Sequence, residues 1–152
     1  MKSIHWKLSA KSDNLIVKDY ENRGDTHVTV FIDNYHKLFE KDVERRLEDK
    51  AADIGLSIVN YYINQNIPVN FQTQEDENII NIQGQQKFHI KPFLSTFAKF
   101  KGNGAMDFNS FLKTRIDALG KDATVIIITP NLDKSMGTLG ILLKTQELQI
   151  LM

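Results

Sequence analysis

An apolar strand that ends directly in a carboxylate is the feature that most constrains how this chain can fold. Residues 26–33, THVTVFID, are almost continuously apolar and β-branched, as expected for a central strand buried on both faces of a sheet. Asp33 closes the strand, and the chain then turns toward a helix. In open α/β sheets, ligands bind just beyond the carboxyl ends of the strands. The stretch therefore predicts an α/β fold and makes Asp33 the first candidate for metal or phosphate chemistry.

The composition limits the classes of function. The chain has 152 residues, the size of one domain, with 19 basic and 19 acidic side chains. A net charge of zero provides no field that would attract nucleic acid or an anionic membrane. Without cysteine there is no disulfide, no thiolate nucleophile and no cysteine-based zinc site. No apolar run approaches the roughly 18 residues of a membrane span, and the N-terminus shows no secretory signal.

The remaining segments predict further strands and helices. Strands are expected at 14–20, 67–73, 78–83, 123–129 and 147–152, and helices at 38–64, 90–100, 106–120 and 135–146. The acidic turn QEDE predicts that 67–73 and 78–83 form a hairpin. The pattern indicates one three-layer α/β domain over 1–152, with a mostly parallel central sheet and an antiparallel hairpin at its edge.

The longest predicted helix has an apolar stripe. Its members recur at spacings of three and four: Phe39, Val43, Leu47, Ala51, Ile54, Ile58 and Tyr61. This stripe predicts the face that packs on the sheet.

The N-terminal stretch carries a motif of a known family. In IHWKLSAKSDNLIVKDYE, residues 4–21, the motif positions are Ile4, Trp6, Lys7, Ala10, Leu15, Val17, Lys18 and Glu21. They resemble the I-x-W-K-x-x-A…L-x-V-K/R-x-x-E signature of the bacterial family catalogued as domain of unknown function 58. In that family the signature leads into a region similar to a von Willebrand factor type A domain, as here it leads into 26–33. The resemblance covers the whole chain and implies a von Willebrand factor A-like, Rossmann-like fold.

The resemblance also implies where a metal ion would bind, and here the motif is degenerate. A-domains that bind metal carry Asp-x-Ser-x-Ser after the first core strand, a threonine on a second loop and an aspartate on a third. Mg²⁺ needs such small oxygen ligands at short range. The first motif reads DNYHK at 33–37, so that tyrosine and lysine replace both serines. The other loops offer Met106 for the threonine and Pro130 or Asn131 for the aspartate. We therefore expect no metal and no other cofactor.

A second interpretation is that the domain does bind a metal ion. Asp33, Asp107 and Asp133 all follow strand ends or begin helices on one edge of the predicted sheet, and three carboxylates can hold a divalent cation in a non-standard way. Alternatively, Asp107 and Asp133 only stabilise helix N-termini, where acidic side chains are favoured for that reason alone.

Catalysis has little support in the sequence. The G-x-G of residues 102–104 lacks a third glycine and does not directly follow a strand, and no motif places a nucleophile. We therefore expect a protein-interaction or scaffold domain and not an enzyme. Its candidate partner-binding residues are Asp33, Asn34, Tyr35, His36, Asn103, Asp107, Asn131 and Asp133. Proteins of this family often accompany AAA-type ATPases of the MoxR group, which implies a role in assembling a complex with such an ATPase.

The resemblance finally implies a longer parent protein. Family members extend upstream and carry membrane-spanning segments before the tryptophan motif, so this domain is expected to be the cytoplasmic part of a membrane-anchored protein. Trp6 is expected to pack on the body of the domain. The final predicted strand, 147–152, has no helix after it, which predicts an exposed apolar patch and self-association through that face.

Overall fold

Six strands form one sheet in the part of the chain that the computed structural model describes, residues 6–12, 15–20, 27–115 and 123–130. They are β1 (Trp6–Ser12), β2 (Leu15–Tyr20), β3 (His27–Ile32), β4 (Val69–Glu75), β5 (Asn78–Gly84) and β6 (Ala123–Thr129). Their order across the sheet is β1-β2-β6-β3-β4-β5. The two most apolar runs of the sequence, β3 and β6, thus lie side by side at the centre.

The centre of the sheet is parallel and both edges are antiparallel. β3 pairs in parallel with β4 and with β6, with Val30 opposite Phe71 on one side and Ile126 on the other. The hairpin β4–β5 is the predicted antiparallel edge. β1 and β2 form a second antiparallel hairpin beyond β6. This hairpin was not predicted, because a strand was expected at 14–20 and none at residues 6–12. The α/β class is confirmed, and the arrangement is compatible with a Rossmann-like fold.

In the described part of the chain, three α-helices lie on the two faces of this sheet. They are α1 (Arg46–Asn64), α2 (Ile90–Ala98) and α3 (Phe108–Arg115), with short 3₁₀ turns at His36–Phe39 and Lys87–His89. α1 and α2 pack together over one face, where Val30 and Ile32 meet Val59 and Phe97 in the main core. α3 covers the opposite face through Phe108 and Phe111. No described helix has the length and apolarity needed to cross a membrane.

The first helix begins eight residues later than the predicted start at residue 38. The 3₁₀ turn His36–Phe39 and further turns precede it, and Arg45 adopts a left-handed conformation, with φ 58°. The carboxylate of Asp42 accepts hydrogen bonds from the N–H groups of Leu47 (2.9 Å) and Glu48 (3.0 Å). A helix cannot run through a left-handed residue, and Asp42 satisfies two N–H groups that a helix start leaves unpaired.

The predicted apolar stripe is correspondingly wrong at its ends. Val43 lies outside the helix and is 88% exposed, and Tyr61 is 58% exposed. The middle of the stripe is confirmed, because Leu47, Ile54 and Ile58 pack against the core. The fully buried positions of α1 are Ala51, Gly55, Val59 and Ile63. Gly55 allows a close approach, because a Cβ there would lie 2.6 Å from a ring carbon of Phe97.

Several predicted elements lie outside the described residues. These are the helix at 135–146, the strand at 147–152 and the end of the helix at 106–120, of which Phe108–Arg115 is described. The packing of the Trp6 side chain also lies outside them, although the backbone of β1 is described.

Phe31 tests the three-layer arrangement. Its fully buried ring meets Phe108 and Phe111 edge-on, with centroids 6.3 and 6.1 Å away. Phe31→Ala should lower the free energy of unfolding by about 3–5 kcal/mol because it leaves a cavity under α3. Phe88→Ala, at a ring that is 76% exposed, is the matched control and should cost less than about 0.5 kcal/mol. Denaturant unfolding measures both, and similar losses would contradict the packing of α3 on this face.

Candidate functional site

Asp33 lies just beyond β3, and protein donors occupy both of its carboxylate oxygens. The side chain is 1% exposed. Its Oδ1 accepts a hydrogen bond from the N–H of Tyr35 (3.3 Å), and its Oδ2 accepts one from the hydroxyl of Thr129 (2.7 Å). Thr129 is the last residue of the neighbouring parallel strand β6. The carboxylate therefore joins the turn after β3 to the end of β6.

Burial changes the acidity of this carboxyl. It raises the pKa of Asp33 to about 6 from the ordinary value of 3.8. The hydrogen bonds from Thr129 and Tyr35 act in the opposite direction and stabilise the charged form, whereas the charge of Asp107 raises the pKa further. Asp33 therefore loses its proton at a higher pH in the folded chain than in the unfolded one.

Asn34 is the most connected polar side chain of this edge, and it is fully buried. Its Nδ2 donates to the backbone carbonyls of Gln74 (2.7 Å) and Lys101 (2.9 Å). Its Oδ1 accepts from the N–H of Gln74 (3.3 Å). One carboxamide thus joins the end of β3 to the end of β4 and to the loop after α2.

Gln74 connects the same strand end to the start of α3. Its Nε2 donates to the carbonyl of Met106 (2.8 Å), while its Oε1 accepts from the N–H of Met106 (3.0 Å). The amide therefore pairs with the backbone of one residue through both of its polar atoms. The side chain of Met106, which stands in the place of a metal-ligating threonine, takes no part in this contact.

Gly104 lies where two loops touch. Its N–H donates to the carbonyl of Asn34 (2.9 Å), and its carbonyl accepts from the N–H of His36 (3.0 Å). A Cβ at this position would lie 2.9 Å from both Asn34 Oδ1 and Gln74 Nε2, so any side chain here would disrupt the polar contacts. The glycine-containing loop at 102–104 therefore serves close backbone packing in this fold.

Asp107 caps a helix. Its carboxylate accepts from the N–H of Ser110 (3.2 Å) and from the hydroxyl of Ser110 (2.7 Å), and its carbonyl accepts the first helical bond, from Phe111. The hydrogen bonds from Ser110 hold the pKa of Asp107 below its ordinary value. These contacts agree with the simpler interpretation of Asp107, that it stabilises a helix N-terminus.

The other predicted site residues form the rim. His36 is exposed and Tyr35 is half-buried, with their ring centroids 5.0 Å apart. Asn103 is half-buried and lines a cavity of about 190 Å³ together with Gln74 and Lys101. Asn131 and Asp133 lie outside the described residues.

The structure thus brings the loop 33–36 and the loop 101–107 into direct contact, and it adds two residues that the sequence analysis missed. Thr129 was assigned to a strand without a role, and Gln74 was placed in the turn. Gln74 in fact lies within β4, and the turn consists of Asp76 and Glu77 only. The available signal was their position at the carboxyl ends of parallel strands, where polar side chains converge.

The described residues at this edge do not suit Mg²⁺, which requires several small oxygen ligands around one point. Within the described ranges no three His, Cys, Asp or Glu side chains are grouped so that they could hold an ion. Asp33 already accepts two protein hydrogen bonds, and Asp107 is engaged with Ser110.

Comparisons with known proteins leave the family open. No protein-family model, curated protein or solved structure matches this chain. The interpretation of the site therefore depends on its own contacts.

The raised pKa of Asp33 predicts how stability depends on pH. The folded state binds the proton of Asp33 more tightly than the unfolded state does. This proton therefore contributes to the free energy of unfolding below about pH 4, and the contribution is lost as the pH rises through about 6. The difference corresponds to about 3 kcal/mol. Asp33→Asn removes the titration, so its free energy of unfolding should rise relative to the wild type by up to that amount between pH 4 and pH 8.

Chemical denaturation at a series of pH values measures this difference. Asp53→Asn removes an exposed carboxylate from α1 and serves as the control. If the wild type and Asp33→Asn have parallel pH profiles, burial does not raise the pKa of Asp33 and the prediction is wrong.

Proposed function

We propose that this chain is a metal-independent protein-interaction domain that presents the loops 34–37 and 101–107 to a protein partner. The observation that carries the proposal is the use of the buried polar groups at this edge. Asn34 and Gln74 make their hydrogen bonds to backbone groups of the loops themselves. Side chains that bind a small ligand or an ion would instead leave donors or acceptors directed toward it.

Fixed loops favour recognition of a protein. Loops held on a rigid scaffold lose little conformational entropy when they bind, and interaction surfaces are commonly built in this way. Here the two loops are joined to each other through Gly104 and to α1 through Glu48, whose Oε1 accepts from the N–H of Gly102 (2.9 Å). The backbone at this edge is therefore ordered before a partner arrives.

The exposed part of this edge carries both signs of charge. Lys37 and Lys101 are exposed on the two loops. The exposed acidic residues 75–77 adjoin them, since the carbonyl of Asp76 accepts from the N–H of Ala105 (2.9 Å). Such a surface is suited to a partner with a complementary pattern of charges, which improves specificity and association rate more than affinity.

The partner that the N-terminal motif favours is an AAA-type ATPase of the MoxR group. The domain would then act in the assembly of a complex, as the soluble part of a membrane-anchored parent, and without catalysis of its own. A von Willebrand factor A-like fold with a degenerate metal motif fits this role, because the loops 34–37 and 101–107 keep their place at the strand ends while the ligand types are replaced.

A divalent cation remains the competing proposal, with Asp33, Asp107 and Asp133 as ligands of a divergent metal site or hydrolase. Its support is that the charge of Asp107 raises the pKa of Asp33, so a cation near both would relieve a repulsion.

The interaction proposal predicts a charge-dependent surface. Lys37→Glu should weaken binding to the MoxR-type ATPase of the same organism about tenfold, because it reverses an exposed charge beside the loop contacts. Lys91→Glu makes the same change at the start of α2, near the opposite end of the sheet, and should leave binding unchanged. Biolayer interferometry with the wild type and both variants measures the effect. Equal affinities for all three would exclude these loops as the binding surface.

The metal alternative has its own test. A cation at a hundred times its dissociation constant would stabilise the fold by about 2.7 kcal/mol. We expect thermal unfolding in millimolar Mg²⁺, Mn²⁺ or Ca²⁺ to coincide with unfolding in EDTA. A rise of several degrees that is abolished by Asp33→Ala would instead establish a metal site.

A further inference from the structure

The two edges of the described sheet are protected to different degrees. β1, at one edge, carries Lys7 and Lys11, and its pairing with β2 shifts register between Leu8 and Ala10. Lysines and irregular pairing are the devices by which natural sheets prevent an edge from joining another chain. β1 is therefore an edge of the type that does not pair with a strand of another molecule.

β5, at the other edge, has none of these devices. Its sequence, NIINIQG, contains no charged residue and no proline over seven positions, and it pairs with β4 in unbroken register from Val69–Gly84 to Glu75–Asn78. Among the described residues it has no neighbour on its outer side. Asn78, Ile79, Asn81 and Gln83 are exposed. A long, regular and uncharged edge is a template for a further strand.

The central residues of β5, Ile80-Asn81-Ile82, are self-complementary. If a second β5 pairs antiparallel with the first about Asn81, all seven residues of both strands are used. Ile80 then lies opposite Ile82 of the second copy, on the face toward α2, and Asn81 lies opposite Asn81. Residues directly opposite one another point to the same face, so the two isoleucines meet on the face toward α2 and the two Asn81 amides meet on the other face. Ile79 lies opposite Gln83, whose methylene groups can cover it.

We propose that a second copy of this chain docks on β5, so that the two sheets join into one across a twofold axis at Asn81. The contact closes on itself and leaves no free β5 edge, as isologous contacts do. It is separate from the loops 34–37 and 101–107. Because Asn78 of one copy lies opposite Gly84 of the other, the two loop surfaces face opposite ends of the joined sheet, and both stay open to partners.

The test uses charge at the symmetry axis. Asn81 is exposed, so Asn81→Lys and Asn81→Asp leave the fold intact, yet each places two like charges directly opposite one another in the dimer. Asn60→Lys, at an exposed asparagine on α1, is the matched control for an added charge. Sedimentation velocity of the full chain over roughly a hundred-fold range of concentration measures the association constant.

The wild type and Asn60→Lys should shift from monomer to dimer as the concentration rises. Each Asn81 variant alone should associate about fivefold or more weakly, and an equimolar mixture of Asn81→Lys with Asn81→Asp should recover the dimer. A wild type that stays monomeric over the whole range would overturn the proposal. Association that the Asn81 variants do not change would also overturn it, because the contact would then lie on another surface.

Discussion

The carboxamide of Asn34 is the interaction on which the rest of this edge depends. It is fully buried, and its two donors and one acceptor all meet backbone groups, on Gln74 and Lys101. An unpaired carbonyl in such a place would cost about 1–3 kcal/mol. The position of the loop after α2 follows from these bonds, and with it the contact of Gly104 with the turn after β3. Gln74 then fixes Met106, which places Asp107 at the start of α3.

This position commonly binds ligands in open α/β sheets, and here its buried amides hold loops in place. The carboxyl ends of parallel strands offer converging polar groups, and a ligand can bind there only if some of those groups are free. In the described residues the amides of Asn34 and Gln74 are both engaged with the loops. What the edge presents to solvent is the outer side of ordered loops, with charged residues such as Lys37 and Lys101.

The sequence was sufficient for the central strands and insufficient for β1, for the start of α1 and for the contacts between elements. The predicted strands at 26–33 and 123–129 match His27–Ile32 and Ala123–Thr129 closely, because a strand buried on both faces has a continuous apolar signal. The start of α1 was wrong because periodicity does not register a left-handed residue such as Arg45. The bond from Thr129 to Asp33 joins residues 96 positions apart, and it becomes visible only when strand order places β6 beside β3.

Asp33 and Asn34 together show how two adjacent residues can brace one loop from both sides. Successive side chains of a strand point to opposite faces, and this alternation continues past the end of β3. Asp33 lies two residues after Phe31, so both side chains point to the face that α3 covers. Its carboxylate bonds to the end of β6. Asn34 bonds instead to the end of β4 and to the loop after α2. The turn that follows is therefore held to both neighbouring strands. On the β4 side the bonds are made by the neutral amide of Asn34, so no charge is buried there. On the β6 side the bond is made by the carboxylate of Asp33, whose burial raises its pKa.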